Sequence, residues 1–438
     1  MKFYLTSLGC KLNQAEIDGL AREIEAHGHL LVETPEGADW AIVNSCTVTH
    51  VAARKSRQLI RHLHRANPGL RVAVTGCYAT MSPGEVEALQ GVTLLLPNRE
   101  KEQVVERILS LDDPACPFTA VAHPAHGPQM GHTRAFVKIQ DGCENRCTYC
   151  IVSLARGPQR SRLPEEVLQE VGARLADGYR EIVVTGVNIG GYGRDHAGEG
   201  PLPVSAGWSL ARLVRLLLER TPAERLRLSS VEPWDVTPEL LALWDDERIG
   251  HRLCRHLHVP LQSGSKATLR RMARRYTPDE FAALVDAVRA RIPDVSLTTD
   301  VIVGFPGESE AEFAESAAFV ERMGFARLHV FRYSRRPGTP ADRLPDQVPP
   351  NVAQQRSEQL VALGQRLATA FHQRFVGREV EVLFESGSPE DESHLWDGLT
   401  GHYLRVTVAS DQELGNVLAR VRCTSADKDG LSGQLITL

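Results

Sequence analysis

Cys143, Cys147 and Cys150 stand in the run DGCENRCTYC, just after the apolar stretch FVKIQ. A CxxxCxxC triplet can give three thiolates to a [4Fe–4S] cube and leave the fourth iron without a protein ligand. Such an iron is a reactive position, because a small molecule can bind it. A zinc knuckle is the competing use of these thiols. Structural zinc is closed by four ligands, usually from two CxxC or CxxH pairs. Here one side of the knuckle is a residue too wide, and no fourth Cys or His lies close by in sequence. The ligand count therefore points to an iron–sulfur cluster.

Cys10, Cys46 and Cys77 form a second, dispersed set. Residues 1–111 alternate strand-like runs (KFYLTSLGC, DWAIVNSC, RVAVTGC) with helix-like ones such as QAEIDGLAREIEAHG. This βαβα pattern predicts a parallel sheet covered by helices. Each of the three cysteines closes an apolar strand, and ligands of open parallel sheets bind at that carboxyl edge. Three thiols reach one place, enough for a second cluster with one open iron. Free cysteines are often simply buried, but the repeated strand–Cys–helix placement argues against three unrelated thiols.

The elements that position these residues divide the 438-residue chain into α/β, α/β and all-β parts. Residues 112–132 are rich in Pro, His and Gly and read as a linker, with Cys116 an exposed thiol inside it. Residues 133–365 hold six strand-like segments separated by helices, which predicts a partial (β/α)6 barrel. Chemistry in such barrels sits at the strand carboxyl ends. The Cys triplet, Gly186, Asn188, Glu232, Gln262 and Gly304 all fall there. Residues 370–438 read as short strands with polar turns, a small closed β-barrel, with Cys423 in its core.

Charge and hydropathy set limits on partners. Net charge is −5, so any nucleic-acid footprint must be local. One candidate is the acid-free run carrying Arg54, Lys55, Arg57, Arg61 and Arg65, whose arginines fall along one side of a helix. A solvated helix face is the plainer reading of such a run. No stretch approaches the ~20 apolar residues that span a bilayer, and the start shows no secretory signal. A cytoplasmic, reducing location is expected, where nine cysteines are metal ligands sooner than disulfides.

The triplet, with Tyr149 as the aromatic before its last Cys, resembles the signature of the radical S-adenosylmethionine (SAM) superfamily. The resemblance implies that SAM binds the open iron and is cleaved to a 5′-deoxyadenosyl radical. With a three-Cys α/β domain before it and a small barrel resembling the TRAM domain after it, nearly the whole chain looks like the methylthiotransferase family. LGCKLNQAE (8–16), NSCTVTHVAARKSRQ (44–58), TGCYAT (75–80) and YSRRPGTPA (333–341) resemble its MtaB branch. Other branches usually carry GCQMN-like or LGCPKN motifs at the first site, and Lys11 differs from both.

The MtaB resemblance implies two [4Fe–4S] clusters, on Cys10, Cys46 and Cys77 and on Cys143, Cys147 and Cys150. It implies two SAM molecules, one as methyl donor and one as radical source. The product would be the 2-methylthio derivative of N6-threonylcarbamoyladenosine, just 3′ of the anticodon in tRNA. Tyr149, Gly186, Asn188, Glu232, Gln262 and Gly304 become candidates to bind SAM. Arg156, Arg160 and Arg162, in ARGPQRSR, could pair with the SAM carboxylate or with tRNA phosphates. A flavodoxin or ferredoxin would supply electrons; the resemblance names no sulfur donor. Two alternatives compete: the same chemistry on isopentenyladenosine or a ribosomal-protein side chain, and an iron–sulfur redox sensor that binds nucleic acid without turnover. A sensor needs neither open iron nor SAM.

Overall fold

The computed structural model describes residues 1–112, 133–195, 207–390 and 393–437. Beyond Asp112, the expected linker and its Cys116 lie outside the described residues. The first sheet contains β1 (Lys2–Ser7), β2 (Leu30–Leu31), β3 (Trp40–Ser45), β4 (Arg71–Gly76) and β5 (Val92–Leu95), all parallel in the order β2-β1-β3-β4-β5. Every residue of β3 is buried. Continuous apolar runs of this kind form strands covered on both faces. Cys10, Cys46 and Cys77 follow the carboxyl ends of β1, β3 and β4.

The second unit begins with β6 (Arg134–Asp141), the short antiparallel β7 (Arg160–Ser161), β8 (Glu181–Gly186) and β9 (Arg225–Leu228). It continues with β10 (His256–His258), β11 (Ser296–Val303) and β12 (Arg327–Arg332), all parallel. Parallel bridges at Leu226↔Leu253 and Ser230↔His258 join the two sheets. Six parallel strands thus make the expected partial barrel. Alternation along each strand sorts its two faces. Val137, Ile182, Leu226, Leu257, Leu297 and Val301 enter the main apolar core. The opposite, luminal face carries Phe136, Lys138, His258, Asp300 and His329.

The helix Lys11–Ala26 belongs to the first unit but packs along β6 and β8, with Ala15 against Phe136 and Val183. It occupies the β6–β8 side of the barrel lumen. The joint is ionic. Glu16 pairs with Lys101, with Lys138 at 3.2 Å and with Arg156 at 2.8 Å. Asp141 meets the same three cations at 3.1, 2.9 and 3.0 Å. Burial opposes the charge on Glu16, yet Arg156, Lys138 and Lys101 hold its carboxyl far below the usual range.

After the helix Pro350–Gln373, β13 (Glu379–Glu390), β14 (Ser393–Thr400), β15 (Arg405–Ser410), β16 (Leu418–Ala426) and β17 (Leu431–Thr437) close a barrel in the order β13-β14-β15-β17-β16. Cys423 is in its core. This barrel docks beneath the amino ends of β6, β8 and β9. Arg227, fully buried, pairs with Glu181 at 2.6 Å and donates to the Thr400 carbonyl at 3.0 Å. Arg225 donates to the Glu381 and Leu399 carbonyls. The Tyr403 ring rises into the same end, faced by Arg227 at 4.6 Å, Lys11 at 5.1 Å and Arg134 at 5.3 Å.

Removing one partner of a buried ion pair costs about 3–5 kcal/mol, because the other charge stays buried. Glu16→Gln is expected to lower stability by that order in urea unfolding at pH 7. The Glu16 carboxyl sits lower in the folded state than in the unfolded one. Its stabilisation is therefore present at neutral pH and lost as pH falls below the ordinary glutamate value of about 4.3. The gap between wild type and variant should narrow over that acid range; a gap that stays constant would show that Glu16 contributes no charge-dependent stability.

Candidate active site

The dispersed thiols come together in space, with Cys10 and Cys77 both acting on Cys46. Cys46 and Cys77 are buried and Cys10 is exposed. A Cβ placed on Gly9 would lie 3.0 Å from Cys46 Sγ, so the Cys10 turn rests directly on Cys46. Asn13 accepts from Cys10 Sγ at 3.6 Å, and Asn98 donates to Cys77 Sγ at 3.6 Å. Burial pushes the Cys46 thiol up to about 11. Burial also raises Cys77, against the pull of the Arg156 cation.

The CxxxCxxC loop follows β6. Cys143, Cys147 and Cys150 line one cavity of about 1010 Å³ with Gln159, Asn188, Arg194, Trp234 and Arg275. The Asn145 N–H donates to Cys143 Sγ and the Val152 N–H to Cys150 Sγ, both at 3.4 Å. Arg274 donates to Cys147 Sγ at 3.4 Å. Burial pushes Cys143 up to about 11 and Cys150 up to about 12. Thiols so placed stay protonated alone, while the donors aimed at sulfur suit thiolates. A cationic metal reconciles the two, so the triplet fits an iron–sulfur cluster. The cavity is large enough for a nucleoside-sized ligand. Asn188 Oδ1, buried and without a hydrogen-bond partner, offers such a ligand an acceptor.

The other sequence candidates sit as follows. Gly186 ends β8 beside Gln140, whose side chain accepts from the Asn188 N–H at 2.8 Å. Glu232 pairs with Arg274, which lies between Trp234 at 4.9 Å and Tyr276 at 5.2 Å. Gln262 has φ +65°, a left-handed conformation that costs a non-glycine residue about 1–3 kcal/mol and clusters at functional sites. The Gly304 N–H donates to Glu308 at 2.7 Å, and Arg356 holds Glu308. Tyr149 packs edge-on against Phe305 at 6.5 Å and steadies the loop instead of lining the cavity. Arg162 is held by Glu170 and the Lys138 carbonyl, and Arg160 is exposed.

Arg156 stands away from the cavity. It is 3% exposed, and its guanidinium is shared between Glu16, Asp141 and Asn13 at 2.7–3.3 Å. Its place is beneath the dispersed triad, between the two units. Asn98 ties the same region together, donating to the Ala155 carbonyl at 2.8 Å as well as to Cys77.

Sequence reasoning missed Arg274, Asn13 and Asn98. It also passed over a readable signal: Cys10, Cys77 and Cys143 each follow a glycine with positive φ, at +118°, +96° and +71°. At Gly76 a Cβ would meet the Ser45 carbonyl oxygen at 2.4 Å, and at Gly142 the Pro158 oxygen at 1.8 Å. Only glycine lets the chain turn so tightly at a sheet edge.

Comparison with known proteins bears on both units. Residues 137–320 match the radical SAM superfamily, and residues 2–96 match the uncharacterized protein family UPF0004. The chain is 35% identical to the threonylcarbamoyladenosine tRNA methylthiotransferase MtaB of Bacillus subtilis, over 98% of this chain and 95% of that one. It is 38% identical to the MtaB of Thermotoga maritima, over 87% and 86%. It is 34% identical to the tRNA-2-methylthio-N(6)-dimethylallyladenosine synthase of Moorella thermoacetica, over 99% and 98%. Among solved structures, the radical SAM methyltransferase TsrM from Kitasatospora setae shares the fold, with a TM-score of 0.57 at 15% identity over 78% of this chain and 76% of that one.

Gly142→Ala should disturb the triplet alone. After anaerobic reconstitution the variant is expected to hold about half the wild-type iron and sulfide. Full iron content would mean the turn tolerates a side chain.

Proposed function

The chain belongs to the MtaB-type branch of the radical SAM methylthiotransferases, and from that premise we propose that it methylthiolates C2 of N6-threonylcarbamoyladenosine just 3′ of the anticodon in tRNA. One observation carries this reading. Two separate cysteine triads stand at the carboxyl edges of two sheets, and a buried ionic joint fixes those sheets against each other.

Cys143, Cys147 and Cys150 would hold one [4Fe–4S] cluster and Cys10, Cys46 and Cys77 a second. With SAM, these groups supply the radical, the methyl group and the inserted sulfur. The chain supplies placement. Arg274 neutralises the triplet side and fixes Glu232, leaving that carboxylate near the cavity for a ribose or amino group. Asn188 offers its unpartnered oxygen, and Gly186, Gln262 and Gly304 shape the rim. Arg156 faces Cys77 and balances thiolate charge while holding the units in register.

Phosphate contact falls to the helix His50–Ala66, where Arg54, Lys55, Arg61 and Arg65 are exposed. Arg57 turns instead to the Tyr78 hydroxyl at 3.2 Å. A local basic face on a chain of net charge −5 implies tRNA binding that weakens with salt. A small iron–sulfur or flavin electron carrier such as ferredoxin or flavodoxin would supply reducing equivalents, in the cytoplasm where tRNA is modified. No helix among the described residues is long and apolar enough to cross a membrane.

The deciding experiment is anaerobic. Reconstituted protein is mixed with SAM, dithionite and tRNA bearing threonylcarbamoyladenosine, and the digested nucleosides are weighed by mass spectrometry. A methylthio mass gain on that nucleoside is expected. SAM cleavage with unchanged tRNA would sink the acceptor. Alanine at Cys143, Cys147 and Cys150 should abolish SAM cleavage. Alanine at Cys10, Cys46 and Cys77 should spare cleavage and stop methylthiolation.

A further inference from the structure

The helix Lys11–Ala26 packs in the lumen mainly against β6 and β8. The luminal face of β10, β11 and β12 stays polar and partly open. Asp300 Oδ1 lies 3.3 Å from His258 Nε2 and 3.1 Å from His329 Nδ1. Thr298 holds the other nitrogen of His258 at 2.9 Å. The side chains of His329 and Asp300 remain 40% and 25% exposed, so the group faces open space. Phe331 follows His329 by two residues on the same face, towards the strand carboxyl ends, and is 44% exposed. None of these groups is among the cysteines assigned to the clusters.

Lys11 enters the same lumen from the other side. Its ammonium stands 5.1 Å above the Tyr403 ring, with Arg134 and Arg227 on that ring as well. Among the described residues no carboxylate lies within ion-pair distance of it, although Arg134, Arg227 and Arg156 all have acidic partners. Its side chain hydrogen-bonds Tyr403, but an enclosed cation without a counter-ion remains costly, and an anionic ligand relieves that cost.

We propose that Lys11 and the facing His258–Asp300–His329 group form the subsite for the N6 substituent of the acceptor adenosine, with Lys11 pairing the threonyl carboxylate. The inference rests on the acceptor assigned above. The purine stacks on Phe331, as bases do on exposed aromatic rings. The threonylcarbamoyl group points down the lumen, where His329 and Asp300 meet its hydroxyl and amide groups and Lys11 its carboxylate. An apolar prenyl substituent would leave all of these groups unpaired, which is how polar sites reject apolar analogues.

The test uses full-length reconstituted protein and two anticodon stem-loops. One bears threonylcarbamoyladenosine; the other bears the same nucleoside with its threonyl carboxylate converted to the methyl amide. Wild type should lose about 10- to 100-fold in kcat/KM on the amide, mainly through KM, the size of a charge-assisted contact. Lys11→Gln should lose as much on the carboxylate substrate and little more on the amide. Lys11→Arg should retain most discrimination. His329→Gln, which removes no cluster ligand, should reduce use of both substrates with iron content unchanged. Equal wild-type rates on the two stem-loops would overturn the proposal while leaving the function standing. No product from either stem-loop would overturn the function itself. A stoichiometric non-iron metal lost in His329→Gln would make the imidazole–carboxylate group a metal site and overturn its role here.

Discussion

Everything in this molecule depends on two buried carboxylates shared among three cations. Glu16 comes from the first unit and Asp141 from the first barrel strand, while Lys101, Lys138 and Arg156 come from both sides. Each unit pairs some of these charges within itself, Glu16 with Lys101 and Asp141 with Lys138 and Arg156. The pairs Glu16–Lys138, Glu16–Arg156 and Asp141–Lys101 cross the joint and complete the set, since buried charges are far less costly when paired. The two units therefore dock in one register. That register sets where the dispersed thiols stand relative to the triplet.

The same joint explains why Arg156 sits where it does. Read along the chain, it belongs to the loop after the triplet and looks like an anion-binding residue. In space it turns back, donating to Asn13 beside Cys10 and approaching Cys77. A residue of the loop after the CxxxCxxC triplet thus places its positive charge beside the dispersed thiols.

Much of this was legible in the sequence because it rests on local pattern. The strands before Cys10, Cys46, Cys77 and Cys143 are short apolar runs ending at a chemical group, and strand-like segments separated by helices marked all six barrel strands. The strand-rich tail announced its own barrel. What could not be read were contacts between distant segments. Nothing near Arg274 in sequence points to Cys147, 127 residues earlier. Nothing near Lys11 points to Tyr403. The helix Lys11–Ala26 reads as an ordinary amphipathic helix of its own sheet, yet its second face belongs to the barrel lumen.

The Tyr403 loop fixes the terminal barrel to the amino ends of β6, β8 and β9, while the triplet lies at the opposite ends. The eight residues of β6 span about 26 Å at 3.3 Å per residue. Buried arginine contacts anchor the terminal barrel at the amino end. A nucleic acid gripped by the terminal barrel would be measured against a rigid gauge. Only a nucleotide at the right contour distance from the grip, on a loop able to bend over the open edge beside β12, could reach the thiols. Position along the strand would then be chosen by length before any base is recognised.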